Sequence, residues 1–159
     1  MQILIDTRET KPLKFYKKWH AVEGTERYYL NKQGDYAVRF NDGHIPPIRV
    51  ERKQNHELYG NLTTGMTRFK AEINNCAKLG LMLYIFIEGT LQQFLEGNTY
   101  SDARPDSLIR TLNTLEVKYH VVHKFYPTRG EMARAIYELF YAEGKQYDKR
   151  KPNKTRVTR

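Results

Sequence analysis

Apolar and polar positions along this chain follow two rhythms. "MQILID" is a short apolar run closed by an acid and reads as a buried strand. "GDYAVRF" alternates by twos, "NDGH" is a turn signal, and "IPPIRVERK" returns as the second arm of a hairpin. Pro46 and Pro47 must lie ahead of its paired part, because proline cannot donate to a ladder. From about His56 to Leu79 the spacing turns helical: Phe69, Ile73, Cys76 and Ala77 fall on one face, and Gly80 stands where the helix would end. "LMLYIFIEG" is the unbroken apolar run of a central strand covered on both sides. "PDSLIRTLNTLEVKY" puts Leu108, Leu112 and Leu115 at helical spacing, and "YHVVHKF" is a short β-rich run. In "TRGEMARAIYELFYAEG", Thr128 and Glu131 have capping-box spacing, and Met132, Ala135, Ile136 and Leu139 then line one side. Residues 7–33 show little periodicity and read as loop-rich, with room for a short helix. Strands alternating with helices predict an α/β fold with helices on the faces of a sheet.

Composition refines this picture. A chain of 159 residues with 40% hydrophobic content can bury one real core. Its net charge of +9 is uneven: seven basic residues and one acid between 145 and 159 carry +6, leaving +3 for the body. Residues 1–144 are therefore expected to form the domain and 145–159 a basic, disordered tail. Such a tail suits a polyanion such as nucleic acid, or serves only to keep the chain soluble. One cysteine, Cys76, excludes an internal disulfide and a cysteine-based zinc cluster, and its setting suits a small core residue. "MQILIDTRET" turns charged by residue 6, and "LGLMLYIFI" is too short to span a bilayer. The expectation is a soluble protein of the cytoplasm, nucleoid or nucleus, with no membrane partner.

The chemistry gathers around "VERKQNHE". Residues two apart on a strand share a face, so Glu51 and Lys53 project together and Arg52 points the other way. Asp35 opens the hairpin's partner strand, Asp6 ends the first strand, and Glu9 lies just beyond it. These charges form either a solvated strand end or a site for phosphodiester hydrolysis. The latter needs hard oxygen ligands for Mg²⁺ or Mn²⁺ and a lysine beside developing negative charge. Other chemistries lack a residue. His56-Glu57 begins a zinc-protease pattern, but Gly60 stands where the second histidine is required. His120 and His123, three apart in the presumed strand, face opposite sides. No glycine-rich phosphate loop is present.

Taken together, "ILIDTRE", "GDYAV" and "VERKQNHE" resemble the XPF/Hef/Mus-type structure-specific endonuclease domain of the restriction-endonuclease-like, PD-(D/E)XK superfamily. The signature is Gly-Asp, a variable gap, Glu-Arg-Lys, three residues and Asp. The resemblance runs over roughly residues 2 to 142, through "RFKAEINNCAKLGLMLYIFIEG" and "GEMARAIYELF". It implies a mixed central sheet flanked by helices and a metal-dependent endonuclease acting on branched, forked or flapped DNA, in repair or recombination. Asp35 and Glu51 would hold Mg²⁺ or Mn²⁺, with Asp6 beside them, and Lys53 would be the catalytic lysine. Arg52 is the signature arginine, and Asp6, Arg8 and Glu9 match cleft residues. Glu57 holds the place of the final aspartate, one methylene longer. The family commonly dimerises through late helices, here the apolar faces of Ser107–Leu115 and Glu131–Phe140, implying a homodimer or a protein partner. Those faces would serve equally to cover the sheet. The alternative is an inactive nuclease fold used for DNA binding or dimerisation. Apart from catalysis, Lys14, Lys17, Lys18 and Trp19 mix charge with stacking surface, and Arg68 and Lys70 offer cations on the long helix.

Overall fold

A computed structural model describes residues 1–97, 99 and 101–151. Six strands form one sheet: β1 (Gln2–Asp6), β2 (Gly24–Tyr28), β3 (Tyr36–Arg39), β4 (Ile48–Gln54), β5 (Met82–Glu88) and β6 (Val122–Tyr126). Their order is β2-β1-β3-β4-β5-β6. β1 runs antiparallel to β3, and β3 to β4, whereas β1/β2, β4/β5 and β5/β6 are parallel. The helices are α1 (Asn55–Leu62), α2 (Met66–Lys78), α3 (Leu91–Leu95), α4 (Pro105–Tyr119) and α5 (Arg129–Arg150). The architecture is the expected mixed α/β sheet flanked by helices.

Strand alternation sorts β4 between two cores. Val50 faces α5, in a cluster with Ile3, Tyr36, Phe86, Ile136 and Phe140. The other face of the sheet packs Leu83, Ile85 and Ile87 against α1, α2 and α4 through Leu58, Phe69, Ile73 and Leu112. Arg52 follows Val50 to the α5 side, and Glu51 and Lys53 follow the α2 side, where Lys53 Nζ lies 5.8 Å from the Phe69 ring centroid. The opposition of Arg52 to Glu51 and Lys53 is thus a consequence of the strand's period.

Several expectations are corrected. The single helix from 56 to 79 is two helices. The Thr63 hydroxyl bonds back to the Tyr59 carbonyl (2.7 Å), and Gly65 N–H turns to the Gly60 carbonyl (2.8 Å), ending α1 before α2 begins. A Cβ at Gly65 would sit 3.1 Å from that same carbonyl oxygen, so the turn favours glycine. The loop-rich stretch contains β2, an edge strand whose residues are exposed or half-buried and therefore carry no apolar period. His120 caps α4 in the left-handed region (φ 54°) and is not in a strand, and His123 Nδ1 lies 2.9 Å from Glu116. α5 does not stop at Gly144: its last turns are pinned by Tyr147, whose hydroxyl donates to Asp42 (2.9 Å) and whose ring stacks on His44 at 4.4 Å. The boundary at 144/145 therefore falls inside a helix, and residues 152–159 of the expected tail lie outside the described residues. Of the two readings of the apolar faces of Ser107–Leu115 and Glu131–Phe140, the structure shows the covering of the sheet. Leu108, Leu112 and Leu115 are buried on one side of the sheet, and Met132, Ile136 and Phe140 on the other.

Candidate active site

The site forms where β3 and β4 meet. Gly34 has φ +87°, and a Cβ there would lie 3.0 Å from the Val50 carbonyl oxygen and 3.2 Å from Arg49 Cβ. Only glycine takes this conformation at this approach without strain. It lets Asp35 N–H donate to the Val50 carbonyl (2.8 Å) and turns the Asp35 carboxylate onto the main-chain N–H of Arg52 (2.8 Å). Gly34-Asp35 is therefore a mechanical unit: the first residue allows the approach, and the second uses it.

Asp35, Glu51 and Lys53 are brought together. Lys53 Nζ donates to Glu51 Oε1 at 2.5 Å, with only 15% and 18% of the two side chains exposed. Burial pushes the Asp35 carboxyl well above its ordinary value, the Glu51 charge pushes it further, and the Arg52 N–H and the Lys53 charge only partly offset this. Burial alone would depress Lys53, but the charge and hydrogen bond of Glu51 outweigh it and raise the ammonium's pKa. Lys53 is thus a fixed cation beside two crowded carboxylates.

These groups open into a cleft of about 480 Å³. One wall is Arg8, Glu9 and Thr10 after β1; the other is Gly60, Asn61, Thr64 and Gly65 at the break between α1 and α2, with Arg68 above. The helix break that the sequence pattern did not reveal therefore shapes one wall of this cleft. Glu57 also lines the cleft, but one of its carboxylate oxygens accepts from Gln54 N–H (2.9 Å) and caps α1.

Asp6 is not brought to this cleft. It is fully buried, with one oxygen taken by the N–H and Nε of Arg8 (both 2.8 Å) and the other by Leu30 N–H (2.7 Å). Burial pushes its carboxyl up, but the Arg8 side chain and the two backbone N–H groups outweigh this and hold it below the ordinary value. The expected metal ligand is instead a clamp that joins β1 to the loop ahead of β3.

On the α5 side, Arg52 is buried and charge-paired. Its guanidinium meets Glu9 (3.0 Å) and Glu88 (3.2 Å), and Glu88 also meets Arg129 at the start of α5 (3.3 Å). Arg129 in turn donates to the carbonyls of Lys11 (2.7 Å) and Pro12 (3.2 Å). Burial would raise the Glu9 carboxyl, yet the Arg52 hydrogen bond and the Lys11 N–H leave it lowered. Glu88 and Arg129 were not legible as site residues. The available signal was an acid closing the otherwise apolar "LMLYIFIE", at the same end of the sheet as its register partner Gln54.

Among the DNA-contact candidates, Arg68 lines the cleft and Lys70 is exposed on α2 outside its lining. Lys14, Lys17, Lys18 and Trp19 do not reach the cleft; Trp19 packs on Tyr137 of α5 (centroids 5.3 Å apart).

A divalent ion fits this donor set. Among the described residues no three His, Cys, Asp or Glu side chains converge on one point. Two carboxylates do, and Mg²⁺ commonly takes one or two carboxylates and completes its shell with water and substrate phosphate. The repulsion between Asp35 and Glu51 is what a cation would relieve.

The ERCC4 domain family model matches residues 5–139. No match is found among curated proteins. Among solved structures, XPF from Aeropyrum pernix is similar with a TM-score of 0.73 at 20% identity, over 100% of this chain and 70% of that one. The complex of Aeropyrum pernix XPF with DNA is similar with a TM-score of 0.67 at 20% identity, over 91% of this chain and 66% of that one.

Proposed function

We propose, from the premise that this chain belongs to the ERCC4 domain family, that it is a divalent-metal-dependent DNA endonuclease acting on forked or flapped DNA. The observation that supports hydrolysis most directly is the half-buried set of Asp35, Glu51 and Lys53, all three residues being present and lining one cleft. Asp35 and Glu51 would hold Mg²⁺ or Mn²⁺. When bound, the ion supplies Lewis acidity toward the phosphoryl oxygen and lowers the pKa of attacking water. Lys53, held by Glu51 and by the Phe69 ring, places a fixed positive charge where negative charge develops on the phosphate. The Arg52 N–H holds the Asp35 carboxylate in place, and the Arg52 guanidinium locks β4 to Glu9 and Glu88 so that the N–H does not drift. Arg8 and Arg68, on opposite walls, are placed to receive flanking phosphates. The DNA in the complex of the Aeropyrum pernix relative supports the choice of nucleic acid as substrate.

The test is a substrate panel. Fork, flap, plain duplex, single-stranded DNA and RNA are incubated with the full chain in Mg²⁺ or Mn²⁺, with chelator as control. Cleavage near the branch of fork or flap is expected. Tight binding without cleavage in either metal would favour an inactive binding fold instead.

A further inference from the structure

The segment after the cleft wall carries positive charge and aromatic rings that the proposed hydrolysis does not use. Thr10 lines the cleft, and Lys14 lies four residues on, so an extended chain separates them by at most about 14 Å. Between them, Lys11 and Pro12 are tied to Arg129, which sets residues 14–20 alongside α5 on the opposite face of the sheet from Glu51. There the rings form a chain: Tyr16 to Trp19 at 5.3 Å, Trp19 to Tyr137 at 5.3 Å, and Tyr137 to Tyr141 at 5.9 Å.

Cations sit over the same rings. Lys18 lies 5.3 Å from the Tyr16 centroid, Arg134 4.8 Å from that of Tyr137, and Lys145 5.3 Å from that of Tyr141. Tyr16 is 48% exposed, and Lys14, Lys17, Lys18 and Lys145 are exposed. The stripe ends at a cavity of about 280 Å³ walled by His20, Phe40, Tyr141 and Lys145, with Asp42 and Asp148 paired to Lys151 on its far side. From Arg129 to Lys145 α5 rises about 24 Å, enough for a few nucleotides of a stretched strand.

We infer that this stripe binds a single-stranded nucleic-acid arm that leaves the cleft around the 7–13 segment. Interleaved cations and rings are what such a strand requires: the cations neutralise phosphates, and Tyr16, with the half-buried Trp19 and Tyr141, offers ring surface to bases without regard to sequence, while the buried Tyr137 holds those rings in line. A duplex hides its base faces and gains only from the cations. The inference rests on the nuclease reading for the direction from which the strand arrives, and not for the binding itself.

Trp19 is the sole tryptophan, so its fluorescence reports on this stripe directly. The full chain is titrated with a single-stranded oligothymidylate of about twelve nucleotides, in chelator so that hydrolysis plays no part. Saturable quenching is expected, with blunt duplex binding weaker. Tyr16→Ala should bind about tenfold more weakly, and Tyr16→Phe, which keeps the ring, should bind like the parent. Removing two cations in Lys17→Ala/Lys18→Ala should flatten the salt dependence by a slope of about 1.4. Absence of quenching would overturn the inference, as would equal quenching by inorganic polyphosphate, equal affinity for duplex, or parent-like binding by Tyr16→Ala. Because the readout needs no metal, its failure is distinct from failure to cleave.

Discussion

The main-chain N–H of Arg52 donates to the Asp35 carboxylate at 2.8 Å, while strand alternation turns the Arg52 side chain away from Glu51 and Lys53, onto Glu9 and Glu88. One residue thus serves both sides of β4. Its guanidinium and the Glu9 carboxylate are each only 6% exposed at the side chain. Arg52→Ala would leave Glu9 buried without its partner, and breaking a buried pair from one side costs about 3–5 kcal/mol. Urea unfolding should show that loss, whereas Lys53→Ala, which leaves a carboxylate at the edge of an open cleft, should cost clearly less. Equal losses would contradict the division of labour between the two faces.

Gly34→Ala tests the mechanical unit. The substitution forces a Cβ into the left-handed region and to within 3.0 Å of the Val50 carbonyl oxygen. Strain of this kind costs about 1–3 kcal/mol, and relief of it must move Asp35 away from Arg52. The expected outcome is a lower unfolding midpoint together with loss of cleavage, in a residue that itself carries no chemistry. Parent-like stability and activity would show that the approach is not needed.

Asp6 tests the reading of a buried, fully hydrogen-bonded carboxylate as structural. Its folded pKa lies below its ordinary value of 3.8, so its hydrogen bonds stabilise the fold above the unfolded pKa and are lost as pH falls through the folded pKa. Asp6→Asn should therefore lower stability near pH 7 relative to the parent, and the gap between the two should shrink below about pH 4. Denaturant unfolding at a series of pH values measures this. Affinity for Mn²⁺ should be unchanged in the variant at neutral pH, because both Asp6 oxygens already accept hydrogen bonds.

Binding of Mn²⁺ gives a direct readout of the paired carboxylates. A ligand that binds only the folded chain raises its apparent stability by about 2.7 kcal/mol at a hundred times its dissociation constant. Thermal unfolding of the parent should shift upward with Mn²⁺. In Asp35→Asn the shift should vanish, while the metal-free midpoint stays or rises because a repulsion is removed. A full metal-induced shift in Asp35→Asn would place the ion elsewhere.

What the sequence reveals and what it hides follow physical lines. Period-two geometry placed Glu51 and Lys53 together because strand alternation is local and holds whatever the tertiary context. Gly34-Asp35 was legible as a motif, but its reason, the approach of Val50, is a contact sixteen residues away. Asp6 was misread because a carboxylate's role depends on its donors, and one of them is Leu30 N–H, brought in by a loop without periodicity. The break between α1 and α2 hides in two threonines and a glycine, residues a helical pattern tolerates one at a time. α5 outruns Gly144 because Asp42 and His44, on the β3–β4 turn, hold Tyr147, and no pattern within the helix records that.

The central claim is that Asp35, Glu51 and Lys53 form one hydrolytic site. It is tested most directly by the single-turnover rate of cleavage of a flap substrate in Mg²⁺, comparing the parent with Glu51→Gln and Lys53→Ala. Both variants should remain folded and bind the substrate, and each should lose on the order of a hundredfold or more in rate. Cleavage by both variants at the parent's rate would contradict the account.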